Sequence, residues 1–130
     1  MPPERTEPGT PTDWLRRAWS DLELAQMDRS SRILLEDLCF HAQQAAEKAL
    51  KAILVSRSIP FPRTHNIGTL VDLLPESIEI PLEAAGAARL SDYAVSTRYP
   101  GDLEPVTHEE HVEAVRIAEA LLRWAEGIVK

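Results

Sequence analysis

Apolar side chains recur every three or four residues from Thr12 onward, and this spacing places them on one face of an α-helix. The predicted buried stripe of this first helix comprises Leu15, Ala18, Trp19, Leu22 and Ala25. Its solvent side is expected to carry the charged residues Arg16, Arg17, Asp21 and Glu23. The segment 28–31, with sequence DRSS, interrupts the pattern and predicts a turn.

A second and longer helix is predicted from about Ile33 to Arg57. Its expected buried face comprises Leu35, Leu38, Cys39, Ala42, Ala46, Ala49, Leu50 and Ile53. Four alanines at or beside this face permit a neighbouring helix to approach closely, since small side chains allow short distances between helix axes. The helix is expected to end before Pro60 and Pro62, because proline lacks the N–H that would continue it.

Three further helices are predicted: Asn66 to Leu74, Glu83 to about Thr97, and one that begins at Thr107. Thr107 and Glu110 have the spacing of a capping box, which marks a helix start. The expected buried residues of these three helices are, in chain order, Ile67, Leu70, Val71 and Leu74, then Ala84, Ala87, Ala88, Leu90 and Ala94, then Val112, Val115, Ala118, Leu122, Ala125 and Val129. No convincing period-two strand occurs, so the pattern predicts an all-α, up-and-down bundle of four to five helices.

Composition adds domain boundaries and a cellular location to this picture. Residues 1–11 hold four of the ten prolines and little to bury, which predicts a disordered tail before one domain spanning 12–130. No run of about 18 apolar residues and no apolar leader occur, so we expect a cytoplasmic protein without a membrane span. The lone cysteine, Cys39, is interpreted as a small core residue. The net charge of −7 opposes general attraction to a phosphate backbone, although it leaves room for a local basic site.

One polar edge of the second helix is the main candidate for chemistry. His41, Gln44 and Lys48 lie within an arc of about 60°, beside the apolar face rather than opposite it, and Lys51 continues this row. Two interpretations follow. The edge is ordinary surface, with lysine stems on the core rim and ammonium groups in water, or it faces a ligand.

Three sequence strings, taken together in chain order, resemble those of a known protein family. LCFHAQQAAEKALKAIL is followed by THNIGTLVDLL and then by LSDYAVSTRYPGD, and this combination resembles the HEPN family (higher eukaryotes and prokaryotes nucleotide-binding domains), above all its small stand-alone prokaryotic members. The resemblance spans about Trp14 to Lys130. It implies a helical bundle, often a two-fold homodimer, frequently encoded beside a minimal nucleotidyltransferase. Many members act as RNases in toxin–antitoxin systems, and others bind nucleotides.

The family's RNase signature is matched only in part. It has an arginine followed, after four to six residues, by a histidine; here Arg98 matches the arginine, but His108 follows after nine residues. In an RNase without metal, His108 would transfer the proton and Arg98 would stabilise the phosphate, with two such pairs meeting across a dimer. A cation at a helix C-terminus explains Arg98 as well.

The favoured alternative is a module that binds a nucleotide or RNA and acts with a partner nucleotidyltransferase. The predicted ligand-binding residues are His41, Gln44, Lys48, His65, Arg98 and Tyr99. Lysine and arginine would contact phosphate and a tyrosine ring would stack on a base. Family members whose partner adds nucleotides to a tyrosine make Tyr99 or Tyr93 a candidate acceptor.

Sequence motifs for cofactor or metal binding are either weak or do not occur in this sequence. His108 and His111 stand three apart, as zinc-binding histidines can, but a solvated first helical turn explains them. The sequence has no glycine-rich phosphate loop, no CxxC pair and no GxSxG turn. We therefore predict no cofactor and no metal.

Overall fold

Three long helices and several short ones make up the fold in a computed structural model that describes residues 9–27, 32–94 and 106–129. The α-helices are α1 (Pro11–Ala25), α2 (Leu35–Ser56), α3 (Ile67–Asp72) and α4 (His108–Val129). Two 3₁₀ helices, Leu82–Ala84 and Ala87–Ala94, lie between α3 and α4. Regular structure within the described ranges is helical throughout, which confirms the all-α class.

The directions of the long helices follow from contacts between named side chains. Trp19 near the middle of α1 donates its indole N–H to Glu126 near the end of α4, at 2.7 Å. His111 near the start of α4 reaches the carbonyl of Ala25 at the end of α1, at 2.8 Å. These two contacts make α1 and α4 antiparallel. The amide of Val106, just before α4, donates to a Glu36 carboxylate in the first turn of α2, so α2 and α4 start at the same end.

Helix α2 is the centre of the bundle and packs against both α1 and α4. The predicted alanine-lined face is confirmed, and burial extends further around the helix than predicted. The alanines that are completely buried are Ala42, Ala45, Ala46, Ala49 and Ala52. Because these side chains are small, neighbouring helices approach α2 closely from more than one side.

The segment after Pro81 differs from the prediction of one helix over 83–97. It forms two 3₁₀ helices separated at Gly86, whose φ of 88° is a left-handed conformation that interrupts any continuous helix. The 3₁₀ geometry and the turn at Gly86 change which residues face the core. Ala88 is therefore exposed, although Ala84, Ala87 and Leu90 are buried as predicted. Residues 95–97 lie outside the described part of the chain.

We expect Gly86→Ala to lower the free energy of unfolding by about 1–2 kcal/mol, because a Cβ is disfavoured at positive φ. The added Cβ would also lie 2.7 Å from a terminal nitrogen of Arg89. Gly127→Ala, in α4, is the matched control. Apart from its chain neighbours and its own helix backbone, no atom of the described residues lies within 4 Å of the added methyl group, so this change should instead stabilise the protein by about 0.5–1 kcal/mol. Urea unfolding of both variants measures this, and equal effects would contradict the assignment of strain to Gly86.

Helix α4 begins where the capping box predicts. The Thr107 hydroxyl accepts from the Glu110 amide at 3.1 Å, and the Glu110 carboxylate accepts from the Thr107 amide at 2.8 Å. The buried stripe is rotated relative to the prediction: Ala118, Leu122 and Ala125 are buried, but Val112 is 51% exposed. The core residues that the pattern missed are Ala114, Ile117 and Leu121.

The three tryptophans, Trp14, Trp19 and Trp124, are partly buried and pack against the core. None of the helices in the described ranges has the length and apolar character needed to cross a membrane.

Candidate functional site

A buried carboxylate of α1 holds two of the predicted site residues. One oxygen of Asp21 accepts from His41 Nδ1 at 3.0 Å, and the other accepts from Lys48 Nζ at 2.6 Å. The prediction that Asp21 faces solvent is wrong, since its side chain is only 10% exposed. A signal was present: Asp21 is three residues after Ala18 and four before Ala25, so it shares their helical face.

A second buried carboxylate, Glu47 on α2, holds a third predicted residue. Glu47 Oε1 accepts from His65 Nδ1 at 2.9 Å and from Gln43 Nε2 at 3.1 Å, and Glu47 Oε2 accepts from Lys51 Nζ at 2.8 Å. Gln43 also donates to the main-chain carbonyl of His65 at 3.0 Å. The loop after α2 is therefore attached to the helix through both the backbone and the side chain of His65.

Gln44 connects the predicted edge to the Glu47 group. Its amide donates to Gln43 Oε1 at 2.8 Å and to Glu47 Oε1 at 3.4 Å. We call the four predicted residues that reach the surface, His41, Gln44, Lys48 and His65, the α2 polar patch. Beneath it lie the two buried carboxylates.

Lys51 is a second residue whose predicted position is wrong, since the sequence pattern makes it a continuation of the exposed row. It is only 8% exposed. Its ammonium lies 5.4 Å from the ring centroid of Trp14 on α1 and 5.5 Å from that of Phe61 in the loop after α2. Gln43, Glu47 and Lys51 follow one another at intervals of four, and this spacing was the available signal for a polar row buried on one side of the helix.

Glu47, which lies beneath the patch, is paired with nearby hydrogen-bond donors that favour its ionised form. Burial by itself would raise the pKa of Glu47, but the hydrogen bonds from Lys51 and His65 outweigh it and hold the pKa below its ordinary value of 4.5. An ionised carboxylate only accepts hydrogen bonds, so Nδ1 of His65 is the donor in this contact. The His65 side chain is 68% exposed.

The lowered pKa of Glu47 predicts a loss of stability in acid. Because the folded pKa lies below that of the unfolded chain, the unfolded state binds more protons as the pH falls. The contribution of Glu47 is complete well above pH 4.5 and is lost as the pH falls from there through the folded pKa. Urea unfolding at several pH values should show this decline, and the decline should be shallower in Glu47→Gln. Equal slopes in both proteins would contradict it.

Two of the predicted residues, Arg98 and Tyr99, lie outside the described residues. His108 is exposed on the first turn of α4. His111 is turned inward: a carbonyl only accepts, so its Nε2 donates to Ala25. Its Nδ1 is buried and has no hydrogen-bond partner among the residues that the structure describes. The two rings are 6.4 Å apart. In the part of the chain that the structure describes, no three His, Cys, Asp or Glu residues are grouped as a metal site.

A cavity of about 640 Å³ lies away from the patch, between the second 3₁₀ helix and the first half of α4. Its charged lining includes Glu109, Glu110 and Glu113 together with Arg89. This surplus of carboxylates disfavours a phosphate ligand. The patch residues do not line it.

Comparisons with known proteins agree on one family. The family model described as HEPN domain matches residues 12–128. The crystal structure of TT1696 from Thermus thermophilus superposes with a TM-score of 0.74 at 33% identity, covering 91% of this chain and 97% of that one. The crystal structure of ST0689, an archaeal HEPN homologue, gives 0.73 at 30% identity, covering 95% and 100%. No curated protein matches the chain significantly.

Proposed function

This chain belongs to the HEPN domain family, and from that premise we propose that it is a binding module for a nucleotide or an RNA segment. In this proposal it forms a homodimer in the cytoplasm and acts with a partner nucleotidyltransferase in a toxin–antitoxin-like system. The observation that carries the proposal is the α2 polar patch, in which four side chains able to bind phosphate or base edges are held by two buried carboxylates.

Burial of the carboxylates supports a binding role over an ordinary surface edge. Glu47 is 3% exposed and Asp21 is 7% exposed, and removing such charges from water carries a cost that packing alone does not require. In return, the carboxylates accept hydrogen bonds from the histidine and lysine side chains above them and restrain those side chains. A ligand then meets groups that are already oriented, which lowers the entropy cost of binding.

Lys48 supplies the positive charge for a phosphate. One of its ammonium protons is directed to Asp21, and its side chain is still 24% exposed, so the other two donors remain for a ligand. The Nε2 atom of His41 lies on the side of the ring away from Asp21. The overall charge of −7 implies that binding depends on this local arrangement and not on general attraction to nucleic acid.

The test is calorimetric titration with the four ribonucleoside triphosphates and with a mixed-sequence 2′-O-methyl RNA, which resists cleavage. We expect binding that weakens about tenfold in Lys48→Gln, the effect of losing one charge-assisted contact of about 1.4 kcal/mol. Arg116→Gln is the control, because it removes one exposed cation of α4 far along the chain from the patch. Equal weakening in both variants, or no binding by the wild type, would refute the patch as the site.

The partner and the dimer have tests of their own. Co-expression with a minimal nucleotidyltransferase should yield a complex, and mass spectrometry of the protein would detect nucleotides added to Tyr93 or Tyr99. Light scattering at several concentrations measures the dimer. A monomer at all concentrations and no co-purified enzyme would contradict this part of the proposal.

RNase activity by Arg98 and His108 is the second candidate function. The exposure of His108 on the first turn of α4 favours it, because the imidazole is open to a substrate. Incubation with RNA in the presence of a metal chelator is the measurement. Arg98→Ala and His108→Ala should each abolish cleavage, and retained cleavage in either variant would exclude the pair.

A further inference from the structure

One aromatic ring beside the α2 polar patch is not accounted for by core packing. The partly buried aromatic side chains that pack against the core are Trp14, Trp19, Phe61, Tyr93 and Trp124. Phe40 on α2 is also half-buried, but within the described residues it does not belong to that packing. Its ring lies instead against the imidazole of His41, with the two centroids 5.6 Å apart and the ring planes at 72°.

The position of Phe40 on α2 extends the patch by one helical turn. Phe40, Gln44 and Lys48 follow one another at intervals of four, so they lie along one edge of the helix. The T-shaped contact with His41 sets the edge of one ring against the face of the other and restrains the angle between them. A flat apolar side chain therefore stands at the end of the row of polar groups.

Asp21 brings the cationic end of the row back toward this ring. Its two carboxylate oxygens accept from Lys48 Nζ at 2.6 Å and from His41 Nδ1 at 3.0 Å. The ammonium of Lys48 therefore lies beside the imidazole of His41, and that imidazole lies against Phe40. An aromatic ring and a phosphate-binding cation are thus placed within the reach of one nucleotide and its phosphates.

This combination suits a nucleobase better than it suits a simple phosphate. Every nucleobase has a flat face that stacks on an aromatic side chain, whichever base it is. A phosphate without a base would engage the ammonium of Lys48 and leave the ring unused. Single apolar side chains are common on protein surfaces. What distinguishes Phe40 is the imidazole and the ammonium that one carboxylate aligns beside it.

We propose that Phe40 stacks on an unpaired nucleobase of the ligand bound at the α2 polar patch, while Lys48 holds a phosphate of that ligand. This rests on the proposed function, because the ligand must first bind there. The proposal narrows the ligand to a free nucleotide or a single-stranded RNA. Bases inside a duplex are stacked on their neighbours and do not present a free face to the ring.

The test compares ligands that differ only in having a base. Calorimetry is carried out with a single-stranded 2′-O-methyl RNA and an abasic oligomer of the same length and charge, and with ATP and inorganic triphosphate. Phe40→Leu keeps an apolar side chain but removes the flat face, whereas Phe40→Trp keeps an aromatic face. Lys48→Gln is the comparison for the phosphate contact. The spectrum of the bound base is followed by NMR, because protons above an aromatic face shift upfield.

In at least one of the two pairs, the wild type is expected to bind the ligand with a base about tenfold more tightly than its partner without one. Phe40→Leu should lose this preference and the upfield shift, yet bind the ligand without a base as the wild type does, which shows that the site is still folded. Phe40→Trp should keep the preference. Lys48→Gln should weaken both members of a pair.

The outcomes separate this inference from the proposed function. No preference for a base in the wild type, a preference retained in Phe40→Leu, or equal weakening of both ligands by that change would overturn the role of Phe40. Each of these results still includes binding at the patch, so the proposed function would stand. No binding of any of the four ligands by the wild type would overturn both.

Discussion

Replacing Glu47 with alanine is expected to lower the free energy of unfolding by about 3–5 kcal/mol, the usual cost of leaving one partner of a buried ion pair alone. Lys51 is 8% exposed and would keep its ammonium among the rings of Trp14 and Phe61 without a carboxylate. His65 and Gln43 would lose an acceptor at the same time. Urea unfolding at pH 7 measures the loss.

The control for this prediction is Glu113→Ala. Glu113 pairs with Arg116 at 2.6 Å on the surface of α4, where both side chains are about half exposed. Surface pairs of this kind contribute little, since water already solvates both charges. A large effect at Glu113, or a small one at Glu47, would contradict the argument from burial.

A double substitution separates stability from site formation. Glu47→Met combined with Lys51→Met replaces the buried pair with apolar side chains, and such replacements are often neutral or stabilising. We therefore expect the double variant to recover most of the stability that Glu47→Ala loses. Ligand binding at the α2 polar patch should not recover, because His65 has lost the carboxylate that orients it. Recovery of both would show that the pair has no role in the site.

Leu50→Ala is expected to destabilise the protein by about 2–5 kcal/mol, because it removes buried methyl groups and leaves a cavity. Leu50 is completely buried on α2, the helix that contacts both α1 and α4, so the surrounding side chains have little freedom to close the gap. Val112→Ala is the control. Val112 belongs to the apolar pattern of α4 but is 51% exposed, and its substitution should change stability by no more than about 0.5 kcal/mol. Chemical denaturation of both variants shows whether the loss of stability follows burial in the structure or the apolar pattern of the sequence.

The long helices were predictable because their local signals agree with their environment. In α2 the buried residues recur at helical spacing, and the helix ends at Ser56, shortly before Pro60. The Thr107 capping box placed the start of α4 within one residue. The alanine spacing over 83–97 predicts one helix, which is wrong because the left-handed backbone at Gly86 separates two short 3₁₀ helices.

The candidate site was predictable only on its exposed side. His41, Gln44 and Lys48 were identified from their position on α2, and His65 from its motif, but their acceptors were not. Polarity alone places Asp21 in solvent because it is charged, and it gives no indication that Glu47 is buried. A pattern based on polarity places charged residues outside by default, so it fails where a charged residue is paired in the interior.

Local signals in the chain were enough to predict the all-α class and the main helices, because helical periodicity, caps and prolines act over a few residues. The family was indicated by the resemblance of three sequence strings, and the family model confirms it. Which polar side chains meet was set by the packing of the bundle. Asp21 is 27 residues from Lys48, and Glu47 is 18 residues from His65. No local pattern spans such separations, and the gain from pairing offsets the cost of burial only when both partners leave water together.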